Sequence, residues 1–154
     1  MTELRPLAYE DVLYVAQNMR QADKDEIYAT RWNDSAEQLA ADAMLVPQMC
    51  WTACKDGRPV AAFGAIPIHP GVWTVWMFAT DEWPSVALLV TRHIIKKMMP
   101  SIKTGSKTFK RGECKSHSLH HVAHRWLEYL GASKESIAYK YGKNGENFFV
   151  FAWL

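Results

Sequence analysis

The chain predicts an α+β fold, with a mixed, mostly antiparallel central sheet of six to seven strands and helices on both faces. Three observations carry that expectation. Asp56-Gly57 stands between two strand-like runs, residues 49–55 and 59–66, and is a strong short-range hairpin signal. Residues 72–79 are dense in β-branched and aromatic side chains, then break at 80–85 and restart as a helix from Val86 to about Met99. The final run, Phe148-Phe149-Val150-Phe151-Ala152-Trp153, is apolar at every position, which predicts a central strand covered on both faces.

From the N-terminus, Leu4-Arg5-Pro6-Leu7 reads as a short extended start. Residues 9–19 place Val12, Leu13, Val15, Ala16 and Met19 at helical spacing, and Asp11 in the first turn suits the helix dipole. Residues 21–30 are polar, carry Asp23, Asp25 and Glu26, and predict an exposed helical piece or loop. Ser35 can cap a helix through Ala43, with Gln38 as its capping-box partner.

After the Asp56-Gly57 turn, Gly64 predicts a bulge or a close backbone approach, and Pro67 and Pro70 are expected to end that strand. Gly71 then leads into residues 72–79, making a three-strand antiparallel meander. Pro100-Ser101 is expected to break the chain after the central helix, and a weakly alternating strand is expected within 108–114. A second helix from Ser118 to Leu130 shows an apolar face of Leu119, Val122, Ala123, Trp126, Leu127 and Leu130, with Gly131 ending it at positive φ. Residues 137–141 and 147–154 flank Gly142-Lys143-Asn144-Gly145 as a second hairpin.

At 154 residues the chain is expected to form one domain, and 49% hydrophobic against 22% charged residues excludes a disordered protein. A net charge of +2 does not argue for nucleic acid. The local surplus of Lys96, Lys97, Lys103, Lys107, Lys110, Arg111 and Lys115 reads first as a solvated edge and second as a patch for an anionic ligand. Cys50, Cys54 and Cys114 are odd in number, without metal-type pairing, and read as reduced thiols. No apolar run reaches about 18 residues and the N-terminus has no signal core, so a soluble, cytoplasmic protein without a membrane span is expected.

The order of elements resembles the GNAT acetyltransferase fold. The Asp56-Gly57 hairpin with Pro59-Val60-Ala61-Ala62-Phe63-Gly64 is similar to that family's second and third strands. Residues 120–132 are similar to its Asn-x-x-Ala…Tyr-x-x-Leu-Gly-Phe segment: Ala123, Leu130 and Gly131 match, while His120 stands where Asn is usual. A narrower resemblance is to the small GNAT-like internal virion proteins of short-tailed phages. It rests on Cys50-Trp51-Thr52, Pro59-Val60-Ala61, the aromatic strand running through an acidic turn to Trp83, and Gly131-Ala132.

The resemblance implies acetyl-CoA as cofactor, held near Phe78, Ala79, Thr80, Trp83, Ser85, Val86 and His120. In the family the turn after the fourth strand is a Gln/Arg-x-x-Gly-x-Gly/Ala loop whose N–H groups close on the pyrophosphate. Here that turn has no glycine and no arginine, carries Asp81 and Glu82, and loses a donor at Pro84, which predicts weak or absent cofactor binding. The fourth strand offers no general base, and Leu127 stands at the usual position of the Tyr acid. Tyr129 points about 200° away around the helix. Asp81 and Glu82 remain as bases and His120 as a proton relay.

His117, His120, His121 and His124 have spacings that zinc accepts, but the set lacks a completing ligand apart from Cys114, so surface histidines and no metal are expected. Trp73 and Trp76 face opposite sides of their strand and are expected either under the first helices or as an exposed binding patch. Two functions follow. One is an acyl-CoA-dependent N-acetyltransferase acting on a protein or small amine. The other is a catalytically silent protein that binds a virion or host component, in the host cytoplasm or the virion.

Overall fold

The computed structural model describes residues 1–105 and 108–154. Seven strands form one sheet in the order β1-β2-β3-β4-β5-β7-β6: β1 Thr2–Pro6, β2 Cys50–Lys55, β3 Arg58–His69, β4 Val72–Ala79, β5 Arg111–His117, β6 Ser133–Ala138 and β7 Phe148–Trp153. Every neighbouring pair is antiparallel except β4 and β5. Helices α1 Tyr9–Gln17, α2 Gln21–Tyr28 and α3 Ala36–Ala43 precede β2, while α4 Ala87–His93, α5 Met99–Gly105 and α6 His121–Tyr129 follow β4 and β5. No helix among the described residues is long and apolar enough to cross a membrane.

The core divides across the sheet. On one side Val12, Val15, Ala16 and Met19 of α1 and Leu39, Ala40 and Ala43 of α3 pack with Ala62 and Phe78. On the other, Val90, Ile94, Met98 and Ile102 along α4–α5, with Leu127 and Leu130 of α6, cover Phe63, Val75, Phe151 and Trp153. Trp73 packs against this second cluster and Trp76 against the first, so strand alternation does put the two indoles on opposite faces, both partly covered.

Local chemistry explains most of the turns. Asp56 and Gly57 both take positive φ, at 49° and 79°, as a tight two-residue hairpin requires. Ser35 accepts the Gln38 N–H at 3.1 Å and caps α3. Gly64 marks a close approach, since a Cβ there would stand 2.6 Å from the Met49 carbonyl and 2.7 Å from the Cys50 Cα.

Several boundaries differ from the sequence expectation, and α6 begins at His121 and not at Ser118. Pro67 does not end β3; the strand runs to His69, directly before Pro70, because β2 stops alongside Gly64, and a proline is tolerated where one edge has no partner. Pro100 does not break the helix either. It lies in the first turn of α5, after a widened π-turn at Ile94–Met98, where a missing N–H costs little. β5 begins at Arg111 and ends at His117, beyond the expected 108–114. β6 occupies Ser133–Ala138 in place of 137–141, because Trp153 donates its indole N–H to the Leu130 carbonyl and pulls the chain into pairing directly after Gly131. Lys140, at φ 55°, has already left the strand.

The basic surplus is dispersed. Arg111 bonds Glu113 and Glu135, while Lys103 lies over Phe109 and Lys115 over Tyr141. Lys107 lies outside the described residues. All three cysteines are free thiols.

Candidate functional site

β4 and β5 pair only at Val72–Arg111, Trp73–Gly112 and Thr74–Glu113, and then part. Parallel strands that separate leave two edges whose backbone groups need other partners. Helix α2 supplies them. Arg20, just ahead of α2, donates its N–H to the Ala79 carbonyl at 2.9 Å, and the Asp23 carboxylate accepts the Ala79 N–H at 2.8 Å. One turn on, Glu26 accepts the His117 N–H of β5 at 2.7 Å and the Ser116 hydroxyl. A single helix thus straddles the opened sheet, bonded to the C-terminal ends of both strands.

Asp23 is almost completely buried and fully engaged. It accepts Arg20 Nε at 3.0 Å and Nη2 at 2.9 Å, and faces His120 Nε2 at 2.9 Å. His120 caps α6 by accepting the Ala123 N–H on Nδ1 at 3.4 Å, so in the neutral ring the proton sits on Nε2, toward Asp23. Burial disfavours the His120 imidazolium, but the bond to Asp23 and the charges of Glu26 and Asp23 outweigh it and hold its pKa above the ordinary value. Burial raises the Glu26 carboxyl, against the opposing pull of its bonds from Ser116 and His117.

Donor atoms of Asp23, Glu26 and His120 lie within 4.8 Å of one another, a spacing a metal could use. The Asp23 oxygens are already taken by three side-chain bonds and a backbone N–H, so the group reads as an ion-pair network. His120 and His124 are therefore not surface histidines. His124 is also buried, with Nε2 at 2.9 Å from the His117 carbonyl and its ring against Phe149 and Phe151. It takes the place in the α6 core that the sequence pattern assigned to Leu119 and Val122, which are exposed.

The turn after β4 bonds most of its donors within itself and one to β3. Thr80 donates its N–H to the Val60 carbonyl, and its Oγ1 accepts the Glu82 N–H. Trp83, Ser85 and Val86 donate theirs to Thr80, Glu82 and Trp83, and the Ser85 hydroxyl reaches the Glu82 carbonyl at 2.7 Å. Trp83 is buried edge-on against Trp126 of α6, with centroids 5.3 Å apart, and Trp126 donates to the Thr91 hydroxyl of α4. The two indoles join the turn before α4 to the body of α6.

Each predicted site residue can now be placed. Phe78, Ala79, Thr80, Trp83 and Val86 are buried at the end of β4, Ser85 is exposed on the turn, and His120 meets them through Asp23. Asp81 is exposed on the turn. Glu82 is bonded by Arg58 Nε and Nη2 at 2.6 Å each, which turns it toward the β2–β3 hairpin and lowers its pKa. Leu127 is buried and Tyr129 exposed, as helix geometry requires. What remains of the gap is a cavity of about 280 Å³, with Glu26, Met77, Cys114, Trp126 and Tyr141 in its lining. Burial pushes the Cys114 thiol up to about 12, so it is inert there.

Arg20, Asp23, Glu26 and Ser116 are missing from the sequence-derived site. Their one local signal is spacing: Arg20, Asp23 and Glu26 recur every three residues and share a helical face. Nothing local says that this face is buried.

No protein-family profile matches the sequence, and no curated protein matches it. Solved structures do match in shape. Ard1 from Thermoplasma volcanium superposes with a TM-score of 0.74 at 11% identity, over 99% of this chain and 96% of that one. The ribosomal-protein-S18-alanine N-acetyltransferase from Escherichia coli gives 0.70 at 12% identity, over 99% and 92%. The chain has the GNAT acetyltransferase fold. The ribosomal-protein-alanine N-acetyltransferase from Brucella melitensis gives 0.69 at 9% identity, over 99% of both chains. At these identities the GNAT likeness is one of architecture.

Proposed function

We propose that this GNAT-fold protein does not carry out acyl transfer at the β4–β5 gap and acts instead by binding a protein partner. The observation that carries the reading is the double bonding of Ala79 by Asp23 and by the Arg20 backbone. A cofactor with its pyrophosphate at the β4–α4 turn must run its amide-bearing arm along the free edge of β4, the nearest unpaired backbone. Here α2 already bonds that edge at Ala79, and displacing it would pull the Asp23 carboxylate away from His120 and the Ala79 N–H. The N–H groups of Thr80, Glu82, Trp83, Ser85 and Val86 are also committed, and two carboxylates flank them. The resemblance to internal virion proteins supports a virion or host component as partner, in the host cytoplasm or the particle.

The test is calorimetry and thermal shift with acetyl-CoA. A ligand that binds only the native state stabilises it by about 2.7 kcal/mol at a hundredfold excess over Kd. No shift is expected at millimolar acetyl-CoA. A saturable shift accompanied by acyl transfer to an amine would overturn the proposal.

One observation favours the second reading, an acyl-CoA-dependent N-acetyltransferase acting on a protein or small amine. Glu26, with its raised pKa, lines the remaining cavity, where a general base would be useful. That reading requires α2 to move off both strands before a cofactor enters.

A further inference from the structure

We infer that the adjoining outer faces of α4 and α6 dock an acidic amphipathic helix of a partner protein. The inference rests on the reading of the chain as a partner-binding protein and names the surface and the chemistry of that partner. Along α4 and the π-turn that continues it, Leu88, Thr91 and Ile95 follow one another at three- and four-residue spacing and so form one stripe. On α6, Val122, Trp126 and Tyr129 do the same. The bond from Trp126 Nε1 to the Thr91 hydroxyl, at 2.9 Å, joins the middle of one stripe to the middle of the other. Trp83, buried edge-on against Trp126, fixes this seam from beneath.

The outer members of both stripes face water. Leu88 is 63% exposed, Ile95 41%, Val122 58% and Tyr129 73%. Single apolar side chains on a surface need no explanation, but four around one fixed seam make a patch. The seam is already ordered, so a partner that covers it has less motion to remove.

Charge selects the partner. Arg92 lies about 100° around its helix from Thr91, beyond Leu88 and Ile95, with Lys96 one turn on. Arg125 lies about 100° around α6 from Trp126, beyond Val122 and Tyr129. The apolar strip is therefore bordered by cations on both outer sides. All three are exposed, and none has an ion-pair or hydrogen-bond partner among the described residues. Residues 86–105 contain no carboxylate, and α6 contains only Glu128. This arrangement fits a helix whose own apolar stripe is bordered by Asp and Glu, which arginine pairs with two bonds at a time. A second copy of this chain would set arginine against arginine across a two-fold interface. Three flanking cations are also fewer than the about four to eight that hold a protein on anionic lipid.

The experiment is fluorescence anisotropy on the full chain with two dye-labelled helical peptides. Both carry the same Leu/Ala stripe, bordered by Glu in one and by Lys in the other. The Glu peptide should bind saturably and more weakly as salt rises, and the Lys peptide should not bind. Tyr129→Ala should raise the Kd by about tenfold, and Arg92→Glu combined with Arg125→Glu should exchange the preference between the two peptides. Tm should stay unchanged in both variants, because these side chains are exposed. No binding of the Glu peptide, equal binding of the Lys peptide, or an unchanged Kd in Tyr129→Ala overturns the inference. So does co-sedimentation with phosphatidylglycerol vesicles that the Glu peptide fails to compete away. Acetyl-CoA titration of the wild type keeps the two readings apart. A saturable shift with acyl transfer removes the first reading and leaves the docking face standing, whereas a silent titration without peptide binding removes the docking face alone.

Discussion

Two strand–turn–helix units meet at the opened sheet, β4 into α4 and β5 into α6, and they are closed in different ways. In the first, the turn closes on itself: Thr80, Glu82 and Trp83 accept the N–H groups that follow them in sequence, and Pro84 has none to offer. In the second, His120 caps α6, but His120 is itself held by Asp23, 97 positions away, and the end of β5 is held by Glu26. The first unit would keep its geometry in many surroundings. The second depends on α2 lying where it does, and α2 in turn depends on the free edges of β4 and β5.

Removing the shared partner should break this comparison most sharply. Asp23→Ala deprives Arg20, His120 and the Ala79 N–H of their common acceptor and leaves a largely buried guanidinium without its partner. Loss of one member of a buried pair costs about 3–5 kcal/mol, read by urea denaturation. A loss under about 1 kcal/mol, the range of surface pairs, would mean that the β5–α6 unit is as self-sufficient as the β4–α4 unit.

Titration sharpens it at intermediate size. The folded-state pKa of His120 lies above the ordinary 6.5, so its stabilisation is complete below that value and is lost as pH rises through the raised one. As pH rises above 6.5 the wild type should lose Tm relative to His120→Asn, whose curve lacks that decline. His93, half-buried against Trp51, and His124 have lowered values through desolvation and act in the opposite direction in both proteins. The raised Glu26 carboxyl adds a second window at lower pH: its favourable protonated form is complete below 4.5 and fades above it. Parallel curves for wild type and variant across the histidine window would remove His120 from the account.

The smallest effect belongs to the self-closed turn. Glu82 spends its carboxylate on Arg58 at the surface, where solvent screens the pair. Glu82→Gln should leave Tm and any acetyl-CoA response unchanged, and a clear change in either would give this residue a role that the geometry does not.

The legibility of the chain follows the same division. The Asp56-Gly57 hairpin, the Ser35 cap, Gly131 at φ 101° and the buried Phe148–Trp153 strand were readable because each depends on neighbours within a few residues. β6 was displaced by several residues because it is an exposed edge whose position comes from pairing with β7, and its own pattern does not alternate. Residues 21–30 looked like a solvated segment, since a stretch with Asp23, Asp25 and Glu26 normally is. Their burial required knowing that β4 and β5 part after Thr74 and Glu113.

Sequence alone therefore determined the α+β class, the Asp56-Gly57 hairpin, the strand–turn–helix that begins at Val72–Ala79 and the absence of glycine from its turn. All of these are short-range properties of backbone freedom and apolar spacing. Tertiary structure alone decided that Asp23 and Glu26 fill the opened edges of the sheet. Backbone donors there must find acceptors, and α2 is the element that the fold delivers to them.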